Sequence, residues 1–461
     1  MPISSSESLA PTAMNILVIG SGGREHAIVS KLVSEWVNSV WVLPGNPGML
    51  AEWNKVQKFP EIAVTESTEI LANIGALIEF IREKAINLVV IWPEVPLCSG
   101  LADALRKAGI SVFGPNQEAA KFEWSKILTE KFNTRHGITQ PLSRSYDADS
   151  RQDALGDLEI GVYPIVIKYP YLAAGKWVTI AYSIEEAREA IRKCYDGNTF
   201  GKWAESSVVL QEFIQWTEMS AFFLVDTKSN KIRYFSSGQD HKTRYEPNHE
   251  WQNPMTGGMG TVSPSPFEAN QSVMDQVTAI GNKFLAGLKE DWIEYQGVLF
   301  AGLMVDKDNG VKVLEYNVRF GDPETQSILA RMKSRISDVM MSVARGDGSL
   351  ANMPLEFSGK ALTLVAVDPG YPWTGTHKWA LITGTHGLPE WVKVIHAGTK
   401  LDYNGNTVVS GGRVFWLVVS WDDGTTFEGL NTIALAAMEQ TKLWGVPPGY
   451  RTDIGKGKDP A

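Results

Sequence analysis

Cysteine is nearly absent: Cys98 and Cys194 are the only two in 461 residues. Two cannot build a disulfide framework, so a reducing compartment is expected, with the cytoplasm as the default address. No apolar run approaches the ~18 residues a membrane span requires. A basic excess is missing too. The net charge of −9 argues against nucleic acid as the main partner, because phosphate neutralisation needs a basic surface. Residues 1–13, MPISSSESLAPTA, contain no Lys or Arg and no apolar stretch, so they read as a flexible tail and not as a secretion signal. Internal repeats and low-complexity segments are also lacking. What remains, 44% hydrophobic and 21% charged, is ordinary for a folded soluble chain. Its length predicts two to four domains. Sixteen tryptophans are many, and most are expected to supply core bulk.

The most informative stretch is 311–324, VKVLEYNVRFGDPE. Its β-branched and aromatic residues predict a strand. Alternation then puts Glu315, Asn317 and Arg319 on one face, with Leu314, Tyr316, Val318 and Phe320 on the buried one. A carboxylate and an amide oxygen two residues apart are hard ligands of the kind Mg²⁺ takes alongside phosphate oxygens and water. Arg319, next in the row, is suited to a bidentate grip on an anion. A solvated edge-strand face would explain one charge, but not an ordered row running into a turn with two more carboxylates. A metal–phosphate site is the better reading.

The chain ahead of that stretch opens with the strand NILVIG and a glycine turn, Gly20, Gly22 and Gly23, at a helix start. Such a turn offers backbone N–H groups and the positive helix end to a phosphate. The spacing is G-x-G-G, and the second strand ends in Pro44-Gly45-Asn46 in place of an acidic residue, which disfavours a dinucleotide fold. A helix at about 68–84, the strand NLVVIW, the loop PEVPLCSG and the strand ISVFG continue an alternation that predicts a parallel sheet through about residue 115. Its ligand loops would be 20–26, 44–46 and 92–97, with Glu25 and Glu94 among them. PIVIK and VTIA then predict a hairpin whose loop is bracketed by Lys168 and Lys176, as a lid over a nucleotide triphosphate would be. The run 208–226 predicts two strands joined through a turn, with Glu212 near an adenine edge and Glu218 within reach of a ribose. Asp240, His241 and Lys242 cluster in GQDHKTRY, and 253–266 reads as a glycine-rich loop without regular structure. Beyond about residue 350, short antiparallel strands and one helix predict a small α+β domain.

In order, IGSGGREHA, PGN, PEVPL, FGP, SK at 125–126, PIVIK, LAAGK, QEF, QDHK, TGGMG, SPSP, NVRFGDPETQ, HAGTK, GGRV and RTDIG resemble the glycinamide ribonucleotide synthetase (phosphoribosylamine–glycine ligase) family over nearly the whole chain. The resemblance implies an ATP-grasp fold of the α/β and α+β multidomain class: an N-terminal parallel α/β (pre-ATP-grasp) domain at 14–115, an ATP-grasp domain at 116–349 with a mobile lid at about 136–205, and a C-terminal α+β domain at 350–461. It implies an ATP- and Mg²⁺-dependent ligase, with Mn²⁺ as a substitute, that joins an amino acid to an amine through an acyl phosphate. Lys126, Lys168 and Lys176 would contact the ATP phosphates, while Glu212, Phe213 and Glu218 line the adenosine site. Glu315 and Asn317 would bind the metal. Gly22, Gly23, Arg24, Glu25, Pro44, Gly45, Asn46, Trp92, Glu94 and Gly258 would bind substrate, and Asp240, His241, Lys242, Arg319 and Asp322 would sit at the reacting groups. The partners implied are small molecules, with neither nucleic acid nor membrane, in a monomer or homodimer.

Departures from the family pattern gather at the site. Trp92 stands where the family usually has glycine, and Pro170, Tyr171 and Trp177 replace an aspartate and two glycines of the lid. Filling a pocket glycine removes volume and backbone freedom. An alternative reading is therefore a relative that keeps the ATP chemistry but joins a different amino acid or amine, the new aromatics forming a more apolar acceptor pocket. A third is an inactive nucleotide-binding relative, which retention of the metal ligands disfavours.

Overall fold

The computed structural model describes residues 14–459, apart from 36, 53–55, 59–69, 71–72, 148, 170–177, 196–206, 248–252, 374, 376 and 423. The apolar strands at the front of the chain pair in parallel, in the order Val56–Lys58, Ser39–Pro44, Asn15–Gly20, Leu88–Ile91, Val112–Phe113. Both faces are covered, which is why LVVI is buried without interruption. The loop read in PEVPLCSG contains a short helix, Glu94–Cys98.

The centre of the molecule is an eight-stranded antiparallel sheet. Its order is Val311–Asn317, Gln296–Val305, Thr217–Asp226, Lys231–Asp240, Gly260–Ser263, Lys360–Val367, Arg413–Trp421, Val392–His396. The helix Gln271–Glu290 packs against the first half of this sheet, and Ile336–Arg345 joins it to the parallel sheet. One expectation is corrected here. The glycine-rich stretch 253–266 is not irregular throughout: Gly260–Ser263 is an interior strand, paired with Asp240 on one side and Leu362 on the other. That pairing carries the sheet across the boundary expected at 349/350. The two strands expected at 208–226 are present as Val208–Glu212 and Thr217–Asp226, and they belong to different sheets.

Val208–Glu212 instead enters a four-stranded antiparallel sheet with Ser143–Tyr146, Ile165–Lys168 and Val178–Ala181. Helices Arg151–Glu159 and Ile184–Tyr195 close this unit, which has an apolar core of its own around Leu158, Ile191 and Leu210. The hairpin expected from PIVIK and VTIA is present, while Lys176 at its tip lies outside the described residues.

Candidate active site

The edge strand Val311–Asn317 does not alternate evenly. Gly302 pairs with Glu315 and Leu303 with Val313, so Leu314 is the extra residue of a bulge. Val311, Val313 and Tyr316 are buried, and Leu314 joins Glu315 on the cavity side in place of the core side expected for it. The bulge therefore places an apolar side chain next to the carboxylate. Gly302 lies close opposite: a Cβ there would come within 3.1 Å of Glu315 Cγ. The strand ends at Asn317, and Arg319 reaches the same cavity from the bend that follows.

The cavity, of about 600 Å³, lies between this strand and the four-stranded unit, which contributes Lys168, Val209 and Gln211. Lys126 and Lys242 complete a ring of three ammonium groups around Glu315. Burial works against the Glu315 carboxylate, but Lys242, Lys126 and Lys168 together hold it below the usual range. The same burial pushes Lys168 down to about 8, opposed by Glu315. It lowers Lys126 as well. Lys242 goes the other way: burial is overcome by Glu218, whose Oε2 is 3.1 Å away, and by Glu315 at 3.8 Å. The donor set suits Mg²⁺. Among the described residues no three His, Cys, Asp or Glu side chains converge as a protein-only metal cage would need. One carboxylate and one amide, Glu315 and Asn317, match a cation that takes its other ligands from phosphates and water.

Arg319 is not available as an open anion grip. Its Nε lies 2.7 Å from Glu94 Oε1, its Nη2 2.9 Å from Glu123 Oε1, and its Nη1 donates to the Phe320 carbonyl at 3.3 Å. Arg24 shares Glu94 at 3.8 Å, pairs with Glu25 at 2.8 Å and donates to the carbonyls of Phe320 and Trp92. Burial opposes ionisation of Glu94, yet the two guanidiniums bring its carboxyl down to about 2. For Glu123 burial wins, reinforced by Glu94, and its carboxyl rises to about 7 against the pull of Arg319. Asp322 is paired as well: Arg413 approaches its carboxylate at 3.2 Å while donating to the carbonyls of Asp322 and Gly258.

Eleven of the expected site residues line the cavity: Arg24, Glu94, Lys126, Lys168, Asp240 and Lys242, then Gly258, Glu315, Asn317, Arg319 and Asp322. Others do not. Trp92 is 1% exposed, stacked among Phe113 and Phe320, and only its carbonyl faces Arg24. The reading of Trp92 as a pocket wall is thereby overturned, because a large apolar ring at the end of Leu88–Ile91 gains more from the core. His241 points away from the cavity, as strand alternation beside Asp240 requires. Its ring meets the Gly260 carbonyl at 3.2 Å, and burial with Arg451 and Lys458 lowers it to about 4.

Apart from Arg24, the two N-terminal loops do not line the cavity and are tied to each other and to the far end of the central sheet. Glu25 accepts from the Gly22 N–H, Gly23 packs on Trp416, and the Asn46 amide donates to the carbonyls of Ser21 and His396. Pro44 and Gly45 flank that knot and do not line the cavity. Glu212 accepts from the Leu142 N–H and from Lys312, and Glu218 stands behind Lys242; with half-buried Phe213 they lie beside the cavity without lining it. Among the lining residues not singled out from sequence are Glu123, Glu324 and Arg413. Glu123 precedes the SK pair, Glu324 ends the GDPE turn and Arg413 sits in GGRV, so each lay inside or beside a matched motif.

The family models for phosphoribosylglycinamide synthetase match here, the N domain at residues 14–123 and the ATP-grasp (A) domain at 124–325. A phosphoribosylamine–glycine ligase of Xylella fastidiosa is 38% identical over 87% of this chain and 89% of its own. One from Listeria innocua is 36% identical over 96% and 99%. The crystal structure of phosphoribosylamine–glycine ligase from Thermotoga maritima superposes with a TM-score of 0.78 at 28% identity, covering 95% of this chain and all of that one. The biotin carboxylase domain of the Hydrogenobacter thermophilus 2-oxoglutarate carboxylase, at 15% identity and a TM-score of 0.69, shares the fold alone. With this agreement over nearly its full length, the chain belongs to the phosphoribosylglycinamide synthetase family of ATP-grasp carbon–nitrogen ligases.

Proposed function

We propose that this protein couples ATP hydrolysis to amide formation between glycine and phosphoribosylamine, releasing glycinamide ribonucleotide, ADP and phosphate. The observation that carries this reading is the bulged edge strand holding Glu315 and Asn317 inside a ring of Lys126, Lys168 and Lys242. A carboxylate is a poor electrophile. One oxygen of the glycine carboxylate attacks the γ-phosphorus, ADP leaves, and an acyl phosphate forms. The amine then attacks the acyl carbon, phosphate departs, and the nitrogen loses a proton. Both steps gather negative charge on phosphoryl oxygens, which is where three fixed ammonium groups lower the barrier. Magnesium bound at Glu315 and Asn317 would screen the same oxygens.

In this reading Lys126 and Lys168 grip phosphates, and Lys242, braced by Glu218, faces the transferred group. Arg319 and Asp322 act through others, as positioning residues. Neither His241 nor Trp92 retains a role in the reaction. The alternative of a remodelled apolar acceptor pocket loses its main support with Trp92 in the core, and Tyr171 and Trp177 lie outside the described residues. The division into 14–115, 116–349 and 350–461, with a lid at about 136–205, is proposed with the last two parts sharing one sheet. No described helix is long and apolar enough to cross a membrane. A cytoplasmic monomer or homodimer acting on small molecules is consistent with this. Steady-state ADP release tests the function: glycine and phosphoribosylamine together are expected to be required, and turnover with another acid–amine pair instead would sink it.

A further inference from the structure

Seven carboxylates line the cavity. Glu94 and Glu123 are taken by Arg319, Asp322 by Arg413, and Glu315 by Lys242. Glu130, on the helix Lys126–Arg135, forms no ion pair among the described residues, and its buried Oε2 accepts nothing there; it stands alone on its helix. The remaining two, Asp240 and Glu324, have no Lys, Arg or His nitrogen within 4.0 Å among the described residues. They are 9% and 2% exposed.

These two carboxylates share one corner. Ser220 pairs with Gly238 across the strands, and its hydroxyl donates to Glu324 Oε1 at 2.9 Å. A Cβ on Gly238 would come 3.6 Å from Glu324 Cγ, so Glu324 lies over that face of the strand. Asp240 follows on the same face two residues on, about 7 Å along. One oxygen of Asp240 accepts the His241 N–H at 2.7 Å, and nothing among the described residues donates to the other. Burial and mutual repulsion hold Asp240 well above the usual carboxylate range, and burial raises Glu324. Gly258 is wedged alongside: a Cβ there would meet Asp240 Oδ1 at 2.4 Å and Pro323 Cδ at 2.2 Å.

Lys242 pulls on both from beyond 4.0 Å without outweighing their burial, and two buried carboxylates with no cation in contact are a costly arrangement unless a ligand supplies one. We infer that Asp240 and Glu324 receive the α-ammonium of the amino acid whose carboxylate is activated, with Gly258 limiting the room beside it. An α-amino acid separates its two charged groups by a single carbon, so its ammonium must lie next to wherever its carboxylate meets the γ-phosphate. The inference rests on the ligase reading above and adds to it the residues that choose an amino acid over any other carboxylate.

The test compares glycine with glycolate, which puts a hydroxyl where glycine has its ammonium. Asp240→Asn and Glu324→Gln are each expected to raise the KM for glycine about 10- to 100-fold, the loss of one charge-assisted bond. The KM for ATP should stay within about twofold of the parent, since neither residue forms an ion pair with a lysine of the ring among the described residues. Inhibition by glycolate should hold or strengthen, so the preference for glycine over glycolate collapses. An unchanged preference alongside a general fall in activity would overturn the assignment, because a structural defect weakens both ligands alike. MgADP affinity and thermal unfolding of each variant verify that it folds, and either variant suffices. Should the parent enzyme turn over a different amino acid, the function reading falls, while that amino acid and its hydroxy-acid counterpart still test the pair.

Discussion

Arg319 Nε and Arg24 Nη1 converge on one oxygen of Glu94, at 2.7 Å and 3.8 Å. Three segments distant in sequence, at 24, 94 and 319, are thereby tied under the floor of the cavity. The two guanidiniums draw Glu94 down to about 2, while burial and Glu94 itself lift Glu123 to about 7.

Those shifts set a pH dependence. Glu94 has a folded-state value below its unfolded one, so its contribution to stability is present above about 4.5 and is lost as pH falls towards 2. For Glu123 the sign reverses. The folded state holds its proton more tightly, so Glu123 costs nothing below about 4.5 and costs progressively more as pH rises to 7. Glu123→Gln should therefore flatten the decline in stability between pH 5 and 7, measured by urea unfolding at stepped pH. Glu94→Gln should destabilise at neutral pH by about 3 kcal/mol, because it leaves two buried guanidiniums short of a partner. Equal stability of the two variants at pH 7 would contradict the network.

Trp92 offers a test of the corrected placement. It fills core space between Phe113 and Phe320, and its indole N–H has no hydrogen-bond partner among the described residues. Trp92→Gly, which restores the residue the family usually carries, should cost about 4 kcal/mol in unfolding free energy. The choice of amino acid should stay unchanged. Trp92→Phe should cost less, since it loses volume but also removes the orphaned donor. A change in substrate preference with intact stability would return Trp92 to the pocket wall.

Much of this was legible in the sequence because local pattern decides it. A run of β-branched residues ending in Glu, Asn and Arg specified a strand, and the lysines fell in matched motifs on either side. What local pattern could not show was the bulge at Leu314, which lies opposite Gly302 and Leu303 of the partner strand. Nor could it show that Arg319 is saturated: its two carboxylates come from 225 and 196 positions away. His241 reads like a catalytic histidine beside Asp240 and Lys242, yet alternation along the strand turns it to the opposite face. Arg413, from the far C-terminal part, enters the site because Arg413–Trp421 belongs to the same sheet as Lys231–Asp240.

That placement of Arg413 predicts a split in kinetic effects. The guanidinium links the Asp322 carboxylate to the Gly258 carbonyl and lies 5.3 Å from the Trp416 ring centroid. Arg413→Ala removes the link without touching the lysine ring. The KM values for the amino acid and the amine should rise about tenfold while that for ATP is held, as expected when one charge-assisted contact is lost. Equal weakening of all three substrates would instead mean that Arg413 supports only the fold.

Lys168 joins the metal strand to the lid, and its titration gives the last prediction. Burial lowers it to about 8, while Glu315 pulls upward against Lys126 and Lys242. A lysine held below its unfolded value penalises folding in full at pH below 8, and the penalty fades as pH rises towards 10.5. Lys168→Met should therefore stabilise the protein at neutral pH, although a cation proposed to grip phosphate is gone. In the parent, ATP affinity should fall as pH rises through 8, because the ammonium that meets the phosphate is being lost. Glu315→Ala removes the group that sustains this ammonium, so in that variant the fall in ATP affinity should move to lower pH. Turnover dependent on Mg²⁺ should be abolished in the same variant with the fold intact. Titrating MgADP affinity between pH 6 and 9 in both proteins decides the matter: an unmoved midpoint in Glu315→Ala would show that the carboxylate and the ammonium do not share one site.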